Sequence, residues 1–177
     1  MQKNKDMKNL LIIMTIGFSL NFLMGLIGSF FKPESFAQMT CWQIGDASAI
    51  MASILASRYI GSRGAHLVPA GFTILYIAYG VSFASSTFEH INEEKMATVV
   101  LPLVPSLFLI GLGKFFPTWL RILSILVIVP FMIIYFNVIN HNYNFDDISN
   151  GIAYIGIQTL GVLWSIFMWK DFLKNNK

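Results

Sequence analysis

Cysteine is nearly absent from this chain of 177 residues, which contains only Cys41. One cysteine can form neither an internal disulfide nor a cysteine-based zinc motif. The sequence also contains no phosphate-binding loop, no nucleophile elbow and no HExxH motif, so no motif identifies an enzymatic reaction. The identity of any cofactor therefore stays open at this stage.

Charged residues are also scarce, at 12% of the chain, whereas 55% of the residues are hydrophobic and the mean hydropathy is +0.64. The apolar residues come in long uninterrupted blocks, which is typical of membrane-spanning helices. We therefore predict an all-α, polytopic integral membrane protein in which residues 1–177 form a single six-helix transmembrane bundle. The predicted spans cover residues 9–31, 39–58, 67–88, 96–113, 120–140 and 148–169. The lipid bilayer is the expected partner, and a net charge of only +3 gives no reason to expect nucleic acid.

Lysine and arginine are distributed unequally between the two predicted sides of the membrane. The termini and even-numbered loops hold ten, namely Lys3, Lys5, Lys8, Arg58, Arg63, Lys114, Arg121, Lys170, Lys174 and Lys177. The odd-numbered loops hold the other two of the twelve, Lys32 and Lys95. Because basic residues concentrate on the cytoplasmic side, this asymmetry predicts that both termini are cytoplasmic and that the protein lies in the plasma membrane.

The second predicted span contains one carboxylate, Asp46, between two uncharged runs at 35–45 and 47–57. A charged group at the centre of a transmembrane helix costs about 2.5–3.5 kcal/mol on insertion scales, so such groups usually face a protein interior or a wet cavity. Gly45, Ala49, Ser53 and Ser57 recur at every fourth residue of this span. Small residues at that spacing allow close helix contact, either within the chain or between two copies of it. The pattern predicts a central helix that holds Asp46 toward an interior.

Polar residues recur in the outer halves of four predicted spans. In the second span Gln43 lies one turn from Asp46, and in the third span Tyr79, Ser86 and Glu89 lie on one face. In the fifth span Asn137 lies near the outer end, and in the sixth Tyr154 and Gln158 share one face. We predict that these residues form an outward-facing polar pocket with Asp46 near its floor. The predicted ligand-binding residues are Gln43, Asp46, Tyr79, Ser86, Glu89, Asn137, Tyr154 and Gln158.

Two histidines also lie at outer helix ends. Because imidazole and carboxylate groups suit zinc, His90 and His141 could bind a metal together with Asp46 or Glu89. Their spacing matches no fixed ligand motif, so this metal site rests on residue type and predicted location alone.

Three functions fit these features. The first is a small transporter or channel-like protein whose acidic pocket binds a cation, an amine or a proton-coupled solute. The second is an integral-membrane, metal-dependent hydrolase that uses His90, His141 and Asp46. The third is a non-catalytic membrane subunit in which the polar residues only hold helices together. The pattern favours the first, because the chain lacks any nucleophile signature or fixed metal-ligand motif.

Overall fold

The computed structural model describes residues 2–32, 35–85 and 93–175, and within these ranges all regular structure is helical. Seven helices follow one another within these described ranges, and they are α1 (Gln2–Gly28), α2 (Phe36–Gly61), α3 (Leu67–Ser85), α4 (Glu93–Leu112), α5 (Thr118–Leu126), α6 (Ile128–Ile139) and α7 (Ile148–Asn175). The predicted all-α class is confirmed. Helices α1 and α7 extend beyond their predicted spans at the end of the bundle that holds the chain termini.

Five helical stretches in the described chain are long and apolar enough to cross a membrane. Helices α5 and α6 together make one of these stretches, Thr118–Ile139. Their separation at Val127 has a local cause, because Pro130 lacks the N–H that would bond the carbonyl of Leu126. Helix α4 instead continues without interruption through Pro102 and Pro105.

Helix α2 is the sixth long helix, with 26 residues, and it is less apolar than the other five stretches. Its polar side chains, which include Gln38, Gln43 and Asp46, account for the difference. The fold is thus a multi-pass helical bundle with five strongly apolar stretches and one more polar long helix, close to the six spans predicted.

The helices form a ring in which each one packs mainly on its neighbours in the sequence, and α7 closes the ring against α1. Helix α2 packs mainly on α1 and α3, while Ile44, Met51 and Ile54 on its remaining face are exposed. The prediction that α2 is central is therefore wrong in detail: α2 is one member of the ring, although Ala49 and Ser53 are fully buried within the chain as expected.

Small residues bring neighbouring helices into close contact. A Cβ atom built on Gly17 of α1 would lie 2.8 Å from the Ser48 carbonyl oxygen and 2.9 Å from the Ala52 Cβ of α2. On the other side of the ring, a Cβ atom on Gly71 of α3 would lie 2.8 Å from the Ser106 carbonyl oxygen of α4. The Ser106 hydroxyl donates a 2.9 Å hydrogen bond to the Gly71 carbonyl, so this close approach also satisfies a buried polar group.

Large aromatic side chains fill the middle of the ring. We call Phe18, Phe72, Phe116 and Trp164 the aromatic cluster; they come from α1, α3, the α4–α5 connection and α7. The ring centroids of Phe72 and Trp164 are 5.0 Å apart in an edge-to-face arrangement, and Phe18 lies 6.3 Å from both. Such arrangements suit the quadrupole of aromatic rings. The cluster closes the interior between the two ends of the bundle.

A polar network connects the helices at the end of the bundle that holds the chain termini. The Tyr59 hydroxyl donates a 2.7 Å hydrogen bond to Asp171, and the Arg63 Nε atom lies 3.0 Å from the same carboxylate oxygen. Trp169 of α7 also donates a 2.9 Å hydrogen bond to the Thr15 hydroxyl of α1. These contacts join α7 to α1 and α2 at this end of the bundle.

Candidate functional site

A cavity of about 780 Å³ lies at the end of the bundle opposite the termini. We call this the cavity end; it contains the last turns of α1 and α3 and the first turns of α2, α4 and α7. Residues from these five helices and from the segment 145–147 line the cavity. Its volume is within the range of cavities that bind small organic molecules.

Asp46 lies in the wall of this cavity, three turns into α2. The side chain of Ser82 on α3, which also lines the cavity, hydrogen-bonds the Asp46 carboxyl group. Tyr79 and Tyr154 lie close enough to interact with this carboxyl group electrostatically. Because Asp46 lines the cavity, its carboxyl group is available to a ligand that enters there.

Amides from α1 and α7 complete the polar part of the wall. Asn21 is almost fully buried and lines the cavity beside Gly45, where α1 and α2 are in close contact. Gln158 lies directly over Gly25, so any side chain larger than hydrogen at position 25 would overlap the Gln158 amide. The contact places the Gln158 amide between the two helices, and a larger residue at position 25 would require that amide to move.

The cavity has an excess of acidic groups. Among its described lining residues are three carboxylates, Asp46, Asp146 and Asp147, and one ammonium group, Lys95. The sequence pattern places Lys95 in the polar segment that precedes the fourth span, and gives no sign that it reaches the same cavity as Asp46. Three acidic groups against one basic group favour cations over anions.

The segment before α7 is held over the cavity by hydrogen bonds. The Asn150 amide donates 2.9 Å bonds to the carbonyl oxygens of Asn144 and Phe145, and the Phe145 ring packs 5.8 Å from that of Trp42. Tyr143 lies against Asn150, and burial raises the pKa of its hydroxyl group. Tyr143 is therefore neutral at physiological pH and adds no negative charge beside Asp146 and Asp147.

Of the eight predicted ligand-binding residues, the structure places Asp46, Tyr154 and Gln158 in the cavity lining. Tyr79 is buried beside Asp46, whereas Gln43 is outside the lining. Asn137 donates a 3.3 Å hydrogen bond to Asp147, so it positions a lining residue rather than lining the cavity itself.

Ser86 and Glu89 lie outside the described residues. The lining residues Asn21, Ser82 and Lys95 were not among the predicted ligand-binding residues, although Ser82 shares the polar face of Tyr79 and Ser86 in the sequence. Asn21 had a signal in the sequence, because it shares a face with Gly17, Gly25 and Gly28, but that pattern indicated packing alone.

The structure places His141 at the rim, away from the cavity lining. Its Nδ1 atom lies 2.8 Å from the Glu93 carboxylate, and its side chain is 86% exposed. His90 lies outside the described residues, and within the described ranges no three histidine, cysteine or acidic side chains are grouped as metal ligands would be. The metal site therefore stays a prediction from the sequence.

Comparison with protein families, characterised proteins and solved structures finds no match for this chain.

Proposed function

We propose that the protein is a small membrane transporter or channel-like protein that binds an organic cation, an amine in particular, in the cavity through Asp46. The observation that supports this proposal most directly is the position of Asp46 in the wall of a cavity of about 780 Å³. A carboxylate taken out of water must be protonated, paired or solvated by polar groups. A cationic ligand would supply the pairing charge.

The surroundings of Asp46 suit an ammonium ion. Gln158 and Asn21 offer amide oxygens in the same cavity, and Tyr154 offers an aromatic ring. An ammonium group is stabilised by carboxylate and amide oxygens and by the faces of aromatic rings. The apolar lining residues, among them Val99 and Ile155, would contact the rest of an organic ligand.

The position of the aromatic cluster favours a transporter over a protein that only binds the cation. A solute in the cavity would meet Trp164 and its aromatic neighbours between Asp46 and the opposite end of the bundle. Movement of the solute across the membrane would require these side chains to separate. A cavity that opens at one end of the bundle and is blocked by the aromatic cluster toward the other would be one of the two access states between which a transporter alternates.

The binding proposal is tested with Asp46→Asn, because asparagine keeps the size and much of the hydrogen bonding of aspartate but removes the charge. We expect butylammonium to raise the melting temperature of the purified parent protein and to bind Asp46→Asn at least tenfold more weakly. Asp6→Asn, an exposed carboxylate at the start of α1, is the matched control and should behave as the parent does. Zinc and sodium chlorides in the same panel test whether a metal ion takes this site instead. Equal binding of butylammonium to the parent and to Asp46→Asn would refute the proposal.

The proposed orientation has both termini in the cytoplasm of a cell whose plasma membrane holds the protein, with the cavity opening outward. In a Cys41→Ser background, a membrane-impermeant maleimide added to intact cells should label Asn144→Cys at the cavity end. It should fail to label Ser62→Cys or Asn175→Cys until the membrane is permeabilised. Labelling of Ser62→Cys in intact cells would reverse the orientation.

A further inference from the structure

The cavity is lined by both α1 and α7, and the lining residues Ile152 and Ile155 of α7 are exposed at the bundle surface. These helices are in contact through most of their length: Thr15 bonds Trp169, Phe18 packs on Trp164 and Gly161, and Gly25 lies under Gln158. The Gly25–Gln158 pair is the last of these contacts toward the cavity end. Beyond it, both helices still line the cavity.

Four lining residues border the cavity on this side, and we call the space between them the α1–α7 crevice. They are Leu26 of α1, Ser29 directly after α1, and Gly151 and Ile155 of α7. On α7, Gly151 and Ile155 precede Gln158 by seven and three residues, so all three share the side that faces α1. Ile155 lines the cavity and is nevertheless 52% exposed at the bundle surface. No described atom lies within 4 Å of a Cβ atom built on Gly151, so the crevice is open at that level.

The crevice has the chemistry of a passage to lipid. Its border is mainly apolar, and it lies in helices that are long and apolar enough to cross a membrane. The same cavity is also lined by Asp46 of α2 and Ser82 of α3. A molecule that occupies both parts would have one cationic polar end and one apolar end.

We propose that the cavity binds an amphipathic ammonium compound, whose charged group pairs with Asp46 while its apolar tail lies in the α1–α7 crevice and extends toward the bilayer. This inference rests on the proposed cation site and adds the class of ligand and the side from which it enters. A hydrophilic amine would make no apolar contact with Leu26 and Ile155, and lipid or water would fill the crevice instead. Each methylene group that leaves water for an apolar surface favours binding by about 0.8 kcal/mol, or a factor of about four in affinity.

The test uses the full chain in phosphatidylcholine nanodiscs with methylammonium, octylammonium and the neutral 1-octanol as probes. We expect octylammonium to bind at least tenfold more tightly than methylammonium, and at least tenfold more tightly than 1-octanol. Since longer chains also enter the bilayer more readily, the decisive variant is Gly151→Phe, which places a ring in the crevice. This substitution should weaken octylammonium binding at least fivefold and leave methylammonium binding within twofold. Gly80→Phe on α3 is the matched control, because a Cβ atom there also has no described atom within 4 Å.

The outcomes separate this inference from the proposed function. The crevice proposal is overturned if methylammonium and octylammonium bind equally tightly, or if Gly151→Phe weakens the binding of both equally. The cation site still stands in either case, provided that Asp46→Asn abolishes the binding of both ammonium ions. If 1-octanol binds as tightly as octylammonium and Asp46→Asn changes neither, charge recognition fails and both proposals are overturned. Absence of binding by every probe would also overturn both.

Discussion

Replacement of Trp164 by alanine is expected to lower the free energy of unfolding by about 3–5 kcal/mol, the usual cost of truncating a large buried aromatic residue. Trp164 is fully buried, and its ring contacts Phe18, Phe72 and Phe116. These partners belong to three other parts of the ring of helices. The substitution would therefore leave a void where four segments of the chain meet, and the neighbouring backbones cannot all move inward to fill it.

Trp164→Phe should cost much less. Phenylalanine keeps most of the apolar contact, and the Trp164 Nε1 atom has no hydrogen-bond partner among the described residues. The substitution therefore also removes a buried, unpaired donor, which offsets part of the lost contact. Thermal unfolding in detergent should rank the proteins as parent, Trp164→Phe and Trp164→Ala in falling order of melting temperature. Trp119→Ala is the control, because Trp119 is 51% exposed. If it proved as damaging as Trp164→Ala, the aromatic cluster would not be the centre of the fold.

The number and placement of the helices were predictable because they follow from local properties of the chain. Long apolar runs separated by polar turns predict spanning helices wherever the surroundings are lipid. Asp46 stood out for the same reason, since an isolated carboxylate in an uncharged stretch needs a polar or wet environment. Its location in a cavity wall agrees with that reasoning, and so does its proximity to Tyr154 and Gln158 in the lining.

The contents of the interior were not predictable in this way. Phe18, Phe72, Phe116 and Trp164 are separated by about fifty residues each, and no spacing rule links them. Their contact depends on how six helical units are rotated within a closed ring. The rotation of α3 about its axis also determines that Ser82 lines the cavity, whereas Tyr79, three residues earlier, is buried behind the cavity wall. Polar periodicity shows which residues share a face but not toward which neighbour that face is turned.

The second large effect is expected at a glycine. Gly17→Ala should destabilise the protein by about 1–3 kcal/mol, as overpacking of a tight interior typically does. The added methyl group would lie 2.8 Å from the Ser48 carbonyl oxygen and 2.9 Å from the Ala52 Cβ, and neither atom is the movable end of a flexible side chain. Helices α1 and α2 would have to separate, and the cavity wall that contains Asn21 and Asp46 would move with them.

Gly80→Ala provides a control of opposite sign. Alanine is favoured over glycine inside a helix by about 0.8–1 kcal/mol, so a glycine without a close neighbour is destabilising by comparison. No described atom lies within 4 Å of a Cβ atom on Gly80, in contrast to Gly17. The melting temperature should therefore fall for Gly17→Ala and stay level or rise for Gly80→Ala. A fall of equal size in both would indicate a general intolerance of change in these helices and would count against a specific contact between α1 and α2 at Gly17. Butylammonium binding adds a second readout, because separation of α1 from α2 should weaken it in Gly17→Ala and not in Gly80→Ala.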